Sequence, residues 1–127
     1  MHLRLCPLLA LLVACAPSLP PVHAPSPDEL AAIRRQAARD ASPEPQVALA
    51  VAWRAAGQRD SARLVLERVL KSHPRHPSAL LQLGITTDEM GDYVRAESLY
   101  RDYLALGGQA KSMPRRRRRL TGSAGVR

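Results

Sequence analysis

The sequence predicts an all-α protein: two stacked helix-turn-helix units forming a short solenoid, with one amphipathic helix before them and a basic tail after. Three observations carry this expectation. Displacing the chain against itself by 34 residues aligns Pro43 with Pro77, Leu49 with Leu83, Gly57 with Gly91, Ala62 with Ala96 and Leu70 with Leu104. Apolar residues recur at 62, 65, 66, 69 and 70 and again at 96, 99, 100, 103 and 104. That is the i, i+3, i+4, i+7, i+8 stripe of a one-faced helix, written twice. Helix breakers stand where such units must turn: Gly57 and Gly91 within each unit, Pro74 and Pro77 between them, Gly107 and Gly108 after the second.

At 127 residues the chain has room for one small domain. A chain this size buries too little surface for a deep catalytic cleft. Its net charge of +8 suggests nucleic acid until it is located. Lys111, Arg115–Arg119 and Arg127 hold seven of the 19 basic side chains, and residues 111–127 contain no acid. The first 110 residues are almost neutral, so the basicity belongs to a tail.

The elements are taken in chain order. Residues 1–15 read MHLRLCPLLALLVAC: Arg4, an apolar run from Leu5 to Ala14, then small residues. The run is too short to span a bilayer and matches an export signal over 1–14. Leu12-Val13-Ala14-Cys15 resembles the bacterial lipobox. That resemblance implies cleavage before Cys15, which becomes the acylated first residue and carries a covalent lipid such as palmitate. The competing cleavage sites end at Ala16 and Ala24, and each is followed by a proline, a poor residue beyond a scissile bond. A plain secreted protein and a signal anchor are the alternatives. With Cys6 leaving in the signal and Cys15 lipidated, no thiol remains for a disulfide, a zinc site or a nucleophile. Ala16 lacks the aspartate that retains lipoproteins in the inner membrane, so the implied location is the outer membrane, facing the periplasm.

Residues 15–27 form a proline-rich tether of extended polyproline character. The segment 28–42 carries the N-terminal helix. Ser26 is its expected N-cap, Pro27 its first residue and Glu29 the partner in a capping box. Leu30, Ile33 and Ala37 make a narrow apolar stripe, which holds a helix only when it is docked.

The units themselves occupy 43–76 and 77–110. Leu49, Ala50, Trp53, Gly57, Ala62 and Pro74 mark the first; Leu83, Gly84, Gly91, Tyr93, Ala96 and Tyr100 mark the second. A period of 34 with these residue types resembles the tetratricopeptide repeat family, two antiparallel helices per unit. Ala50/Gly84 and Ala62/Ala96 are small so that paired helices approach closely. Thr87 departs from the pattern, standing where an aromatic is usual, and Gly108 replaces a closing proline. Two units fall short of the three or so that usually make a stable stack. The helix before them is expected to cover one end. No capping helix is legible after Gly108, so the chain is expected to be shortened, or finished by a partner or by self-association.

The resemblance implies binding through the concave face lined by each unit's first helix. Its inward candidates are Val47, Val51 and Arg54 in the first unit and Leu81, Ile85, Asp88 and Glu89 in the second. Val47, Val51, Leu81 and Ile85 replace the Lys, Arg and Asn of the family's carboxylate clamp, so the expected ligand is an amphipathic helix or an extended apolar segment. Alternatively the N-terminal helix fills that groove and these residues are core.

No catalytic constellation is legible, so no enzyme activity, cofactor or metal is expected beyond the lipid on Cys15. His73 and His76 read as turn residues and His23 as a solvated linker residue. Arg115, Arg116, Arg117, Arg118 and Arg119 read as a solvated, disordered end. The alternative is a charge-driven binder of anionic lipid or envelope polymer; with no aromatic to stack on bases, no specific nucleic-acid binding is expected. The expected function is thus a membrane-anchored scaffold or assembly factor that binds protein partners in the cell envelope.

Overall fold

The computed structural model describes residues 23–114. The signal, Cys15, most of the tether and Arg115–Arg119 lie outside the described residues. Five helices follow one another: α1 (Pro27–Arg39), α2 (Pro43–Ala55), α3 (Arg59–Ser72), α4 (Pro77–Glu89) and α5 (Tyr93–Ala105), then a 3-10 turn (Ala110–Ser112). Among the described residues there is no strand, and no helix is long and apolar enough to cross a membrane.

Local chemistry sets the helix ends. At α1 the Ser26 hydroxyl accepts from the Glu29 N–H at 3.2 Å, and the Glu29 carboxylate accepts from the Ser26 N–H at 2.7 Å. That is the expected capping box, with Pro27 as the first helical residue and not the end of the tether. The Ser26 N–H, and after it the Ser26 hydroxyl, holds the Glu29 carboxyl below its usual range. α1 ends at Arg39, where Asp40 turns the chain by accepting from the Ser42 N–H at 2.9 Å. The Ser42 N–H, and after it the Ser42 hydroxyl, lowers the Asp40 pKa. His76 Nδ1 accepts from the Ala79 N–H to cap α4, and Asp92 caps α5 through the Arg95 N–H.

The glycine turns repeat as well. Gly57 and Gly91 adopt φ of 81° and 87°. In each unit the glycine N–H donates to the carbonyl three residues back (Arg54, Asp88), and the next N–H donates to the carbonyl five back (Trp53, Thr87). This closure satisfies the last carbonyls of α2 and α4 and requires a left-handed residue, which glycine adopts without a Cβ penalty. Gly107 ends α5 in the same way.

The pairs α2–α3 and α4–α5 pack most extensively, α3 meets α4 between units, and α1 meets α2. α1 therefore sits against α2 as α3 sits against α4: it takes the place of the second helix of a preceding unit. The main core joins Val47 and Ala50 of α2, Ala62, Val65, Leu66 and Val69 of α3, and Ala79 and Leu83 of α4. Ion pairs tie the units together. Arg54 on α2 meets Glu89 on α4 at 2.8 Å, and Arg95 on α5 meets Glu67 on α3 at 2.8 Å.

Thr87, in the aromatic slot, is buried, and its hydroxyl donates to the carbonyls of Leu83 and Gly84. A small polar residue is tolerated there because the helix itself accepts its proton.

The end after Gly108 differs from expectation. The chain turns back through the 3-10 turn, and Met113 is buried (4% exposed) with Ala96 and Tyr100, against Leu81, Ile85 and Leu104. The Gln109 N–H donates to the Tyr103 hydroxyl at 3.1 Å and pins the return. One flexible apolar side chain thus does part of what a capping helix does elsewhere.

Candidate interaction surfaces

The residues assigned to a concave face occupy two adjoining helices, α2 and α4, and the structure engages most of them within the chain. Val47 lies in the main core and Val51 is half-buried. Arg54 donates to Glu89 Oε1 at 2.8 Å and to Gln82 Oε1 at 3.3 Å. Glu89 also accepts from Arg59 at 3.2 Å, so one carboxylate bridges two guanidinium groups of the first unit. Asp88 is buried. Leu81 and Ile85 are half-buried against the cluster of Ala96, Tyr100 and Met113. α1 packs on α2, and α1–α4 is not among the principal helix pairs.

Residues taken as fold markers fall in structural roles. Leu49, Ala50, Ala62, Leu83, Gly84, Ala96 and Tyr100 are buried, and Trp53 is half-buried against the main core. Tyr93 is an exception: it begins α5 and is 48% exposed. Pro74 sits in the turn between α3 and α4.

His76 gains a partner that sequence spacing hides, since Glu44 of α2 brings a carboxylate oxygen to 3.4 Å from its Nε2. Its other ring nitrogen caps α4, so the residue is both turn and tie. Among the described residues no group of three or more His, Cys, Asp or Glu side chains gathers to hold a metal.

A second surface was not read from the sequence. α1, α2 and α3 enclose an open groove of about 590 Å3, with Leu49 and Trp53 of α2 between arginines of α1 and α3. The available signal was the spacing of Ala31, Arg34, Arg35 and Ala38, which share one flank of α1, but only the placing of α3 opposite gives that flank a meaning.

With the geometry in place, the comparison with known families is decisive at one point: a family model described as Tetratricopeptide repeat matches residues 46–76. The chain carries a tetratricopeptide repeat. The match runs from within α2, through α3, to the His76 cap of α4. No curated protein matches the chain. The α4–α5 pair repeats the helix order and glycine closure of the tetratricopeptide unit before it. Tetratricopeptide stacks are interaction scaffolds, and the repeat suggests a protein–protein interaction role for this chain.

Proposed function

We propose that the protein is a membrane-anchored adaptor of the bacterial envelope, held by a lipid on Cys15 and binding a protein partner through its repeat body. The observation that carries the binding half is the tetratricopeptide match at 46–76, in a helix pair stacked on a second. The anchoring half rests on the residues Leu12-Val13-Ala14-Cys15 and the proline-rich stretch after them. Several acyl chains at about 0.8 kcal/mol per buried CH2 hold a protein firmly on a bilayer. In this reading the chain has no chemistry of its own; it positions others at the outer membrane, facing the periplasm.

Metabolic labelling with a palmitate analogue tests the anchor. Label on the wild-type chain, with loss of label and release from membranes in Cys15→Ala, is the expected result. Binding is tested by crosslinking from a photoreactive residue at position 51, the half-buried candidate on α2. A discrete crosslinked partner supports the reading, and its absence in the envelope fraction counts against it.

A second reading is favoured by the gathering of seven cations in residues 111–127: charge-driven contact with anionic lipid or polymer. Deleting residues 115–127 separates the two. Partner capture that survives the deletion rejects the tail as the binding element.

A further inference from the structure

The groove between α1 and α3 is basic on both walls and apolar on its floor. Arg34 and Arg35 reach it from α1 and Arg68 from α3, with Leu49 and Trp53 of α2 beneath; none of its lining comes from α4. Elsewhere in the described body five arginines meet carboxylates, Arg54 and Arg59 pairing with Glu89, Arg63 with Asp60, Arg95 with Glu67 and Arg101 with Glu97, whereas Arg39 and Arg75 stand apart from both the groove and these pairs. Among the described residues the side chains of Arg34, Arg35 and Arg68 make no hydrogen bond or ion pair. Two arginines on one wall and a third on the other, with an apolar floor between, are complementary to an anion that also carries apolar groups.

We propose that this groove docks an acidic amphipathic peptide segment of a partner protein. Its apolar side chains would rest on Leu49 and Trp53, and its flanking carboxylates would pair with Arg34, Arg35 and Arg68. The chain itself does not supply such a segment: residues 1–22 and 115–127 contain no Asp or Glu. A second copy is a poor occupant, because among the described residues most of its carboxylates already pair with its own basic side chains or cap its helices. A bilayer surface is flat and does not reach the recessed floor while contacting both walls. The proposal concerns a different surface from the α2–α4 face and does not depend on the Cys15 anchor.

Trp53 is the chain's one tryptophan, so tryptophan emission comes from the floor of this groove. The probe is a blocked peptide of Glu-Glu-Leu-Leu repeats, titrated into the full chain. A saturable blue shift of Trp53 emission is expected, weaker with added salt. Arg34→Glu combined with Arg68→Glu should weaken binding by about tenfold or more. Arg101→Glu, and Arg115→Gln through Arg119→Gln together, should leave it unchanged. Should circular dichroism show that the double variant is unfolded, the single variants Arg34→Gln and Arg68→Gln replace it, each with a partial loss. The proposal is overturned by any of four results: no shift with the peptide; the same affinity in the groove variants; loss in the tail variant; or an equal shift from a Lys-Lys-Leu-Leu peptide. A stronger response to phosphatidylglycerol vesicles than to the acidic peptide also overturns it, in favour of a lipid site.

Discussion

The ring of Tyr100 lies directly on the backbone of Gly84, so close that a methyl group added at Gly84 would stand 2.7 Å from Cε1 and 2.9 Å from Cδ1. Both residues are buried, and this contact closes α5 on α4. Alanine favours a helix over glycine by about 1 kcal/mol, but overpacking against a buried ring costs about 1–3 kcal/mol. Gly84→Ala is therefore expected to lower stability by about 1–2 kcal/mol in urea unfolding followed by circular dichroism. In a Tyr100→Leu background the same change should cost less or stabilise.

Gly57 and Gly91 present the opposite case. A Cβ at either meets nothing within 4 Å, so the penalty is conformational alone. With φ near +81° and +87°, Gly57→Ala or Gly91→Ala should each cost about 1 kcal/mol, and asparagine at either position less than alanine. Thermal melts of the four variants check the ranking, and an alanine as stable as glycine would contradict it.

Met113 lies at the end of the described chain, yet it is buried beside Leu81 and Ile85. Met113→Ala should destabilise by about 2 kcal/mol, the low end for a core truncation because the return segment is short. Hydrogen exchange should quicken across residues 109–113 and in α4 at Leu81 and Ile85. Faster exchange at α2 instead would place the contact elsewhere.

Arg54 and Glu89 connect the first helices of the two units at 2.8 Å, with side chains 22% and 34% exposed. A double-mutant cycle of Arg54→Ala and Glu89→Ala should give a coupling of about 0.5–1 kcal/mol, reduced by salt. Because Glu89 also holds Arg59, Glu89→Ala should cost more than Arg59→Ala. Equal costs would show that Arg59 contributes as much as the pair.

Acid should loosen α1 before the rest. The Glu29 carboxyl lies below its ordinary 4.5 in the folded chain, so its contribution is present above that pH and is lost as pH falls through the folded value. Carbon-detected NMR should show Glu29 titrating below 4.5, with Ser26→Ala moving it part of the way back. First-turn amides of α1 should lose protection in the same acidic range. A Glu29 midpoint at or above 4.5 would refute the capping argument.

The 34-residue period, the apolar stripes and the positions of Gly57, Gly91 and Gly107 were sufficient to place the helix pairs, because caps, breakers and stripes act over three to five residues. The Ser26–Glu29 box was legible for the same reason. Met113 was not: a lone apolar residue ahead of an arginine run has no period, and its burial depends on the chain turning back at Gly107. Nor did spacing show that Val47 is core or that Arg54 and Glu89 pair across 35 positions, since that follows from how α4 stacks beside α2. The groove is the clearest case. Arg34 and Arg68 lie on helices that never touch in sequence, and only their placement on either side of Trp53 makes them one surface. Local rules write the helices; the offset of one helix on the next, settled by packing small residues such as Gly84 against large ones such as Tyr100, decides which side chains meet.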